Sequence, residues 1–134
     1  MAGKAESRLI YNSISSSERV ASLSVKGALL FTWLITHCDV QGRMPAKPIV
    51  IKQQIIPFLD EITVEDVEQA LKLMAGNKLI ILYEDDKGRS LLQVTDWGEW
   101  QTGLHYLSPS HYKAPESWED KLTPRDEAGR FTKQ

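Results

Sequence analysis

The sequence predicts a mainly α-helical α+β fold that ends in one small β-hairpin. Three observations predict this class: an almost continuously apolar stretch at residues 25–38, a capped amphipathic stretch at residues 63–76, and two β-type runs at residues 79–83 and 91–95. The chain has 134 residues, of which 42% are hydrophobic and 25% are charged. These values are typical of a globular chain, and the length predicts one domain.

The main helix is predicted at residues 25–38, after a short helix near residues 16–22. Ser24 has the side chain of a good N-terminal cap. Apolar residues occur nearly all the way round the main helix, which indicates that it lies at the centre of the fold. Turn-forming residues at positions 39–42 then end it.

A second helix is predicted at residues 47–56, after a short extended segment at residues 43–45. Pro48 suits the first turn of this helix, and Pro57 limits its length.

A third helix begins after Thr63, whose hydroxyl can cap it. Asp66 follows three residues later, which gives a weaker form of the Glu-containing capping box. Gly76 and Asn77 form a C-terminal stop signal. One face of this helix is apolar and consists of Val64, Val67, Leu71 and Met74.

The hairpin is predicted from strands at residues 79–83 and 91–95 with a tight turn at residues 85–88. Trp97 and Trp100 follow it, and we expect both rings to fold back over the hairpin and the helices because large aromatic side chains near a small core are mostly buried. The predicted organisation of the chain is a disordered N-terminus at residues 1–7, a folded domain at 8–100, an aromatic extension at 101–115 and a flexible tail at 116–134.

The composition excludes several classes of protein. Cys38 is the only cysteine, so an intrachain disulfide is excluded. The longest nearly apolar run, residues 28–35, is far shorter than the roughly 18 residues of a membrane span. Residues 1–8 lack the apolar core of a signal peptide. We therefore expect a soluble cytoplasmic protein that makes no membrane contact.

The order of the predicted elements is that of a winged helix-turn-helix, in which a β-hairpin wing follows a three-helix core. Short segments along the chain add a family resemblance. They are Leu23-Ser24, Leu29-Leu30, Trp33-Leu34-Ile35, Asp39, Gly42-Arg43, Ile62-Thr63-Val64-Glu65, Leu71, Leu79-Ile80, Tyr83, Trp97, Trp100-Gln101 and Ser110-His111-Tyr112-Lys113-Ala114-Pro115. Together they resemble the N-terminal domains of phage replisome organisers, also called DnaD-like winged helices, over about residues 8–115.

The resemblance implies a winged-helix fold and a non-enzymatic DNA-binding role in phage or prophage replication, either in initiation or in replisome organisation. Its location would be the cytoplasm of a bacterial or phage-infected host cell. The chain departs from the family at residues 102–107, which carry no Lys or Arg where relatives tend to be basic. This departure argues against DNA contact by that segment.

Charge is unevenly distributed along the chain, although the formal net charge is only −2. Residues 1–59 carry seven basic and three acidic side chains, whereas residues 60–100 carry four basic and ten acidic ones. A polyanion is therefore expected to meet the first half of the chain or its tail.

The candidate DNA-binding residues lie in the second helix, the segment before it and the wing. Cations together with amides suit phosphate contacts that carry little sequence information. The alternative for each residue is an ordinary polar surface position, and acidic residues 84–86 adjoin the wing. The candidates are Arg43, Lys47, Lys52, Gln53, Lys87 and Arg89.

Two further groups are candidates for partner binding or base stacking. The outward face of the third helix carries Glu65, Glu68, Gln69 and Lys72, and its carboxylates disfavour insertion between phosphates. It is either a solvated acidic face or a docking face for a replication protein or a second copy of the chain. The second group, in the aromatic extension, consists of His111, Tyr112 and Lys113. Its aromatic rings could stack on unpaired bases.

No enzyme, metal site or cofactor is predicted. His37, Cys38 and Asp39 are consecutive, so a helix would point them in different directions. No phosphate-binding glycine loop and no nucleophile elbow is present. The preferred function is DNA binding in replication. The alternatives are a protein-interaction module, which uses the acidic third helix to bind a replication partner or a second copy, and a transcriptional regulator.

Overall fold

The computed structural model describes residues 7–102 and 107–122, and these form an α+β fold. All but residue 7 of the N-terminal segment expected to be disordered lies outside this part of the chain. A 3-10 turn, Asn12–Ser16, comes first. The regular elements then follow as α1 (Glu18–Ala21), α2 (Ser24–Ile35), β1 (Arg43–Pro45), α3 (Pro48–Ile55), α4 (Val64–Gly76), β2 (Ile80–Glu84), β3 (Ser90–Val94) and α5 (Trp97–Trp100).

Helix α2 is the central helix, as its composition predicts. Leu30, Phe31 and Leu34 are buried in the core. Ser24 is the first residue of the helix rather than its cap, a position that Leu23 takes, and the Ser24 hydroxyl accepts a hydrogen bond from the Gly27 N–H at 3.4 Å. The helix ends at Ile35, three residues earlier than predicted, because the next three N–H groups bond to carbonyls three residues back instead of four.

Helix α4 begins with the predicted capping box. The Thr63 hydroxyl accepts from the Asp66 N–H at 3.1 Å, and the Asp66 carboxylate accepts from the Thr63 N–H at 2.9 Å. That backbone N–H, together with the Lys26 ammonium, holds the pKa of Asp66 below its usual range. The helix ends at Gly76 as predicted, but the left-handed residue that follows is Lys78 rather than a glycine.

The sheet has three antiparallel strands in the order β1-β3-β2. The predicted hairpin is present, and the predicted extended segment pairs with it as a third strand, with Met44 opposite Leu92. Met44 and Leu92 face the buried helices. Residues on alternate positions, including Arg43 and Gln93, therefore face the other side of the sheet.

Residues 107–122, here called the strap, run along this second face. The Gln41 side-chain amide donates to the carbonyls of Ser108 at 3.0 Å and Lys121 at 2.8 Å. The Tyr83 hydroxyl donates to the Lys113 carbonyl at 2.6 Å. Within the segment expected to be a flexible tail, the Lys121 carbonyl therefore contacts the sheet face.

The two tryptophans after β3 differ in their surroundings. Trp97 is buried, and its indole N–H donates to the Val40 carbonyl at 2.8 Å, as the prediction of a folded-back ring requires. Trp100 remains 40% exposed and meets Tyr11 edge to face at 5.5 Å between ring centroids. Only Trp97 is therefore a core residue.

The length and hydropathy of the helices bear on membrane crossing. Across residues 7–102 and 107–122, no helix combines the length and the apolar character that a membrane span needs.

Gly42 and Gly88 offer a matched test of the packing against Trp97. Both have positive φ, at 83° and 76°, but a Cβ on Gly42 would lie 2.6 Å from the Trp97 ring, whereas Gly88 has open space. We expect Gly88→Ala to cost about 1–2 kcal/mol through backbone strain alone. Gly42→Ala should cost a further 1–3 kcal/mol or so through overpacking. Urea unfolding measures both, and equal losses would contradict the Trp97 contact.

Candidate nucleic-acid interface

Three of the predicted cations come together at one end of the sheet. The Ala46 N–H donates to the Ser90 carbonyl at 2.9 Å, which brings the start of α3 beside the hairpin loop. Lys47 directly precedes α3, and Lys87 and Arg89 lie in that loop. We call this region, Lys47 together with residues 85–89, the loop end of the sheet.

The hairpin loop neutralises part of its own charge. Asp85 accepts hydrogen bonds from the N–H groups of Lys87 and Arg89, both at 2.9 Å, and from the Arg89 guanidinium at 2.6 Å. The bond from the Arg89 N–H is the main reason why the pKa of Asp85 lies below its usual range. Asp85 therefore offsets the charge that Arg89 would present to a phosphate.

The strap brings a further cation to the loop end. The Lys113 ammonium lies 2.6 Å from the Asp86 carboxylate, and this bond raises the pKa of Lys113. Both side chains are exposed. Sequence reasoning made Lys113 part of an aromatic arm and gave no sign that it meets the hairpin loop.

Lys47 and Lys87 are the available cations of the loop end. Both are exposed, and neither ammonium has an ion pair or a hydrogen bond within the part of the chain that the structure describes. Helix α3 begins with Pro48, has no acidic residue in its first turn and has no side-chain cap. Its positive N-terminal end therefore adds to the charge of Lys47.

Lys52 has a structural role rather than a free ammonium group. Its ammonium donates to the Ile56 carbonyl at 3.2 Å and to the Leu59 carbonyl at 2.6 Å, so it closes the end of α3 and the following turn. This corrects the expectation that Lys52 points outward to phosphates. Its neighbour Gln53 is exposed, as predicted.

Arg43 is also removed from the predicted set, because it is buried at 1% exposure. Its guanidinium donates to the Gln93 side-chain oxygen at 2.6 Å and to the Tyr112 carbonyl at 3.1 Å. It also forms a bidentate ion pair with Asp120 of the strap. The prediction that Arg43 contacts DNA phosphates is therefore corrected: its donors hold the strap on the sheet.

A polar network surrounds Arg43. The Asp39 carboxylate accepts from the N–H groups of Gln41 and Arg43, at 2.9 and 3.1 Å, and from the Ser110 hydroxyl. The Gln93 amide donates to the Gln41 carbonyl at 2.7 Å. Among the described residues, no fully buried side-chain N or O atom lacks a hydrogen bond. The network is therefore a satisfied structural unit.

Tyr83 belongs to the same covered face of the sheet. Its hydroxyl bonds the strap, and burial raises the pKa of Tyr83 to about 12. Sequence reasoning missed Tyr83, Gln93 and Asp120 as polar anchors. The available signal was Gln93, an amide in the otherwise apolar run Leu91-Leu92-Gln93-Val94.

The predicted outward face of α4 is exposed. Glu65, Glu68, Gln69 and Lys72 all lie at the surface. Lys72 offsets part of the negative charge, with its ammonium 3.8 Å from Glu68. The remaining carboxylates keep this face acidic.

The predicted aromatic arm is fixed by its backbone rather than free. The Tyr112 N–H donates to the Ser110 hydroxyl at 3.0 Å, and its carbonyl accepts from Arg43. The Tyr112 ring is half-buried, while His111 is exposed. His105 and Tyr106, which belong to the same predicted extension at residues 101–115, lie outside the described residues.

Two observations bear on catalytic or metal chemistry. Residues 7–102 and 107–122 contain no group of three or more His, Cys, Asp or Glu side chains that could hold a metal ion. Cys38 is buried, and its thiol lies 3.6 Å from the Leu34 carbonyl.

Comparisons with known proteins give no family assignment: no protein-family model, no curated protein and no solved structure matches this chain.

Removal of the Asp120 carboxylate tests the Arg43 network. Asp120→Ala leaves the buried Arg43 guanidinium without its counter-ion, and we expect a loss of about 3 kcal/mol in the free energy of unfolding. Asp86→Ala is the matched control, since it removes a carboxylate from an exposed pair with the same strap. Exposed pairs contribute little, so the control should unfold like the wild type. Urea titrations measure the unfolding midpoint of both variants, and similar midpoints would argue against the buried pair.

Proposed function

We propose that this protein is a winged-helix DNA-binding protein that contacts phosphates through Lys47 and Lys87 with little sequence specificity. The role suggested by its resemblance to replisome-organiser domains is phage or prophage replication in the cytoplasm. Support comes from the element order, in which α2, α3 and α4 precede the hairpin and β1 pairs with β3. A three-helix core with a wing requires this order of elements.

The observation that carries the proposal is the bond between the Ala46 N–H and the Ser90 carbonyl. It brings Lys47 and the N-terminal end of α3 beside the hairpin loop that contains Lys87. A helix N-terminus with a neighbouring cation favours phosphate oxygens. The acidic face of α4 argues against base reading in the major groove, since carboxylates there would lie close to phosphates.

A small number of free cations predicts a shallow salt dependence. Two phosphates neutralised by Lys47 and Lys87 correspond to a slope of about −2 in a plot of log affinity against log salt concentration. Binding should therefore be measurable at low salt and weak near physiological salt.

Single lysine substitutions test this surface. We expect Lys47→Gln and Lys87→Gln each to weaken binding and to reduce the salt slope by about 1, because each removes one phosphate contact. Lys78→Gln is the matched control, since Lys78 is also exposed but precedes β2 at the opposite end of the hairpin. Fluorescence anisotropy with labelled single- and double-stranded DNA at several salt concentrations measures all three.

Two outcomes would refute the DNA-binding proposal. One is no binding by the wild type at low salt, and the other is an equal loss in the Lys78→Gln control.

A second candidate function is protein interaction through the acidic face of α4. It is favoured by the pairing of cations outside this face, Arg89 with Asp85 and Lys113 with Asp86, which leaves them less available to a polyanion. Glu65 makes no such pair within the described residues. Its face therefore suits a basic replication protein.

Charge reversal on α4 separates the two functions. Glu65→Lys with Glu68→Lys should abolish co-elution with a basic partner, while Lys47→Gln should leave it intact. Analytical size-exclusion chromatography with the purified partner measures this. The reverse pattern would exclude the α4 face.

A further inference from the structure

Phe58 projects from the turn between α3 and α4 and is 91% exposed. The turn that carries it is well fixed. Lys52 bonds to the carbonyls of Ile56 and Leu59, and Ile56 and Ile62 are buried on either side of the turn. The Leu59 N–H donates to the Ile56 carbonyl at 3.2 Å, and the Ile62 N–H donates to the Leu59 carbonyl at 3.1 Å. Phe58 is thus an aromatic side chain held out into solvent.

The same chain contains an open apolar cavity of about 170 Å³. Phe31 and Trp97, both buried, contribute to its wall, and the partly exposed rings of Tyr11 and Trp100 also line it. Phe58 is not among the described residues that line the cavity, so it does not fill the cavity of its own copy.

We propose that Phe58 of one copy inserts into this cavity of a second copy. Aromatic walls suit an aromatic occupant, because edge-to-face and offset contacts add to the burial of apolar surface. A single aromatic anchor in an apolar pocket is also the usual form of an interaction hot spot. The exposed Phe58 side chain and the open cavity are complementary features of one molecule, which identifies a second copy as the occupant.

Charged side chains also lie beside both surfaces, and the cavity is lined by one cation, Arg19, and one carboxylate, Asp96. Asp60 and Glu61 follow Phe58 in the chain and are exposed. Arg19 lines the cavity, and its pair with Asp96 is loose, at 3.9 Å with both side chains about half exposed. An incoming Asp60 or Glu61 gives Arg19 a second carboxylate partner. This gain comes in addition to the burial of Phe58.

The contact joins two different surfaces and is therefore heterologous. Such contacts extend head to tail into a ring or an open array, unlike the two-fold contact of a simple dimer. The proposal does not depend on DNA binding.

Self-association of the purified protein tests the proposal. We expect the weight-average mass from sedimentation velocity to rise with concentration up to about 1 mM, since an interface with one anchor is in the weak class. Phe58→Ala should weaken association at least about tenfold, as loss of a hot-spot anchor does. Val25→Ala is the matched control, because Val25 is an apolar side chain that is 87% exposed on another element.

Two variants test the cavity side. Trp100→Ala removes one wall, and Arg19→Glu reverses the charge at the cavity without touching the core; each should weaken association at least about tenfold.

A mixture of two variants gives the sharpest test. The Phe58→Ala variant keeps an intact cavity with Arg19, and the Arg19→Glu variant keeps Phe58. In the mixture, Phe58 of the Arg19→Glu variant can therefore insert into the cavity of the Phe58→Ala variant, and this is the one contact that remains. The mixture should form 1:1 dimers and nothing larger.

Several results would overturn the proposal. A wild type that stays monomeric throughout the concentration range is one. Association of Phe58→Ala at wild-type strength, or an equal loss in Val25→Ala, is another. A mixture that remains monomeric or grows beyond dimers would also exclude the contact.

Discussion

The burial of the Arg43 guanidinium is the constraint on which the rest of the structure depends. A buried cation is costly unless its charge and its donors are satisfied. Arg43 meets this requirement with groups from two parts of the chain: Gln93 in β3, and the Tyr112 carbonyl and Asp120 in the strap. Its side chain therefore links the third strand both to the hairpin and to the strap. Gln41 and Tyr83 add further bonds from the sheet face to the strap.

This internal use of charge determines what remains for a ligand. The sequence carries an excess of cations in residues 1–59, but a count of charges does not say which of them are available. The Arg43 guanidinium is paired within the buried network, and the Lys52 ammonium bonds to two carbonyls. Arg89 is paired with Asp85. Binding through the few cations left depends on long-range attraction more than on contact energy. Affinity and salt concentration must then be considered together.

The features that sequence predicted well are those encoded by neighbouring residues. The capping box at Thr63 and the apolar face of α4 each lie within one helix, and the hairpin lies within fifteen residues, so periodicity and turn chemistry were sufficient. The burial of Arg43 depends on Asp120, 77 positions away. The local sequence pattern contains no information on such a distant pair. From that pattern alone, Arg43 is predicted to be a surface cation before a helix. Only Gln93, an amide among leucines, indicated a polar network on the far side of the sheet.

Weak DNA binding at the loop end of the sheet and heterologous self-association would strengthen each other. If Phe58 joins successive copies head to tail, every copy presents Lys47 and Lys87 in the same relation to its neighbour. A long polyanion then meets many equivalent sites, and once one copy is bound the next contact is intramolecular, with a high effective concentration. Phosphate contacts by Lys47 and Lys87 are a small contribution for a monomer, but they add up along an array. Such an array would let a chain with net charge −2 hold a nucleic acid without a strongly basic surface.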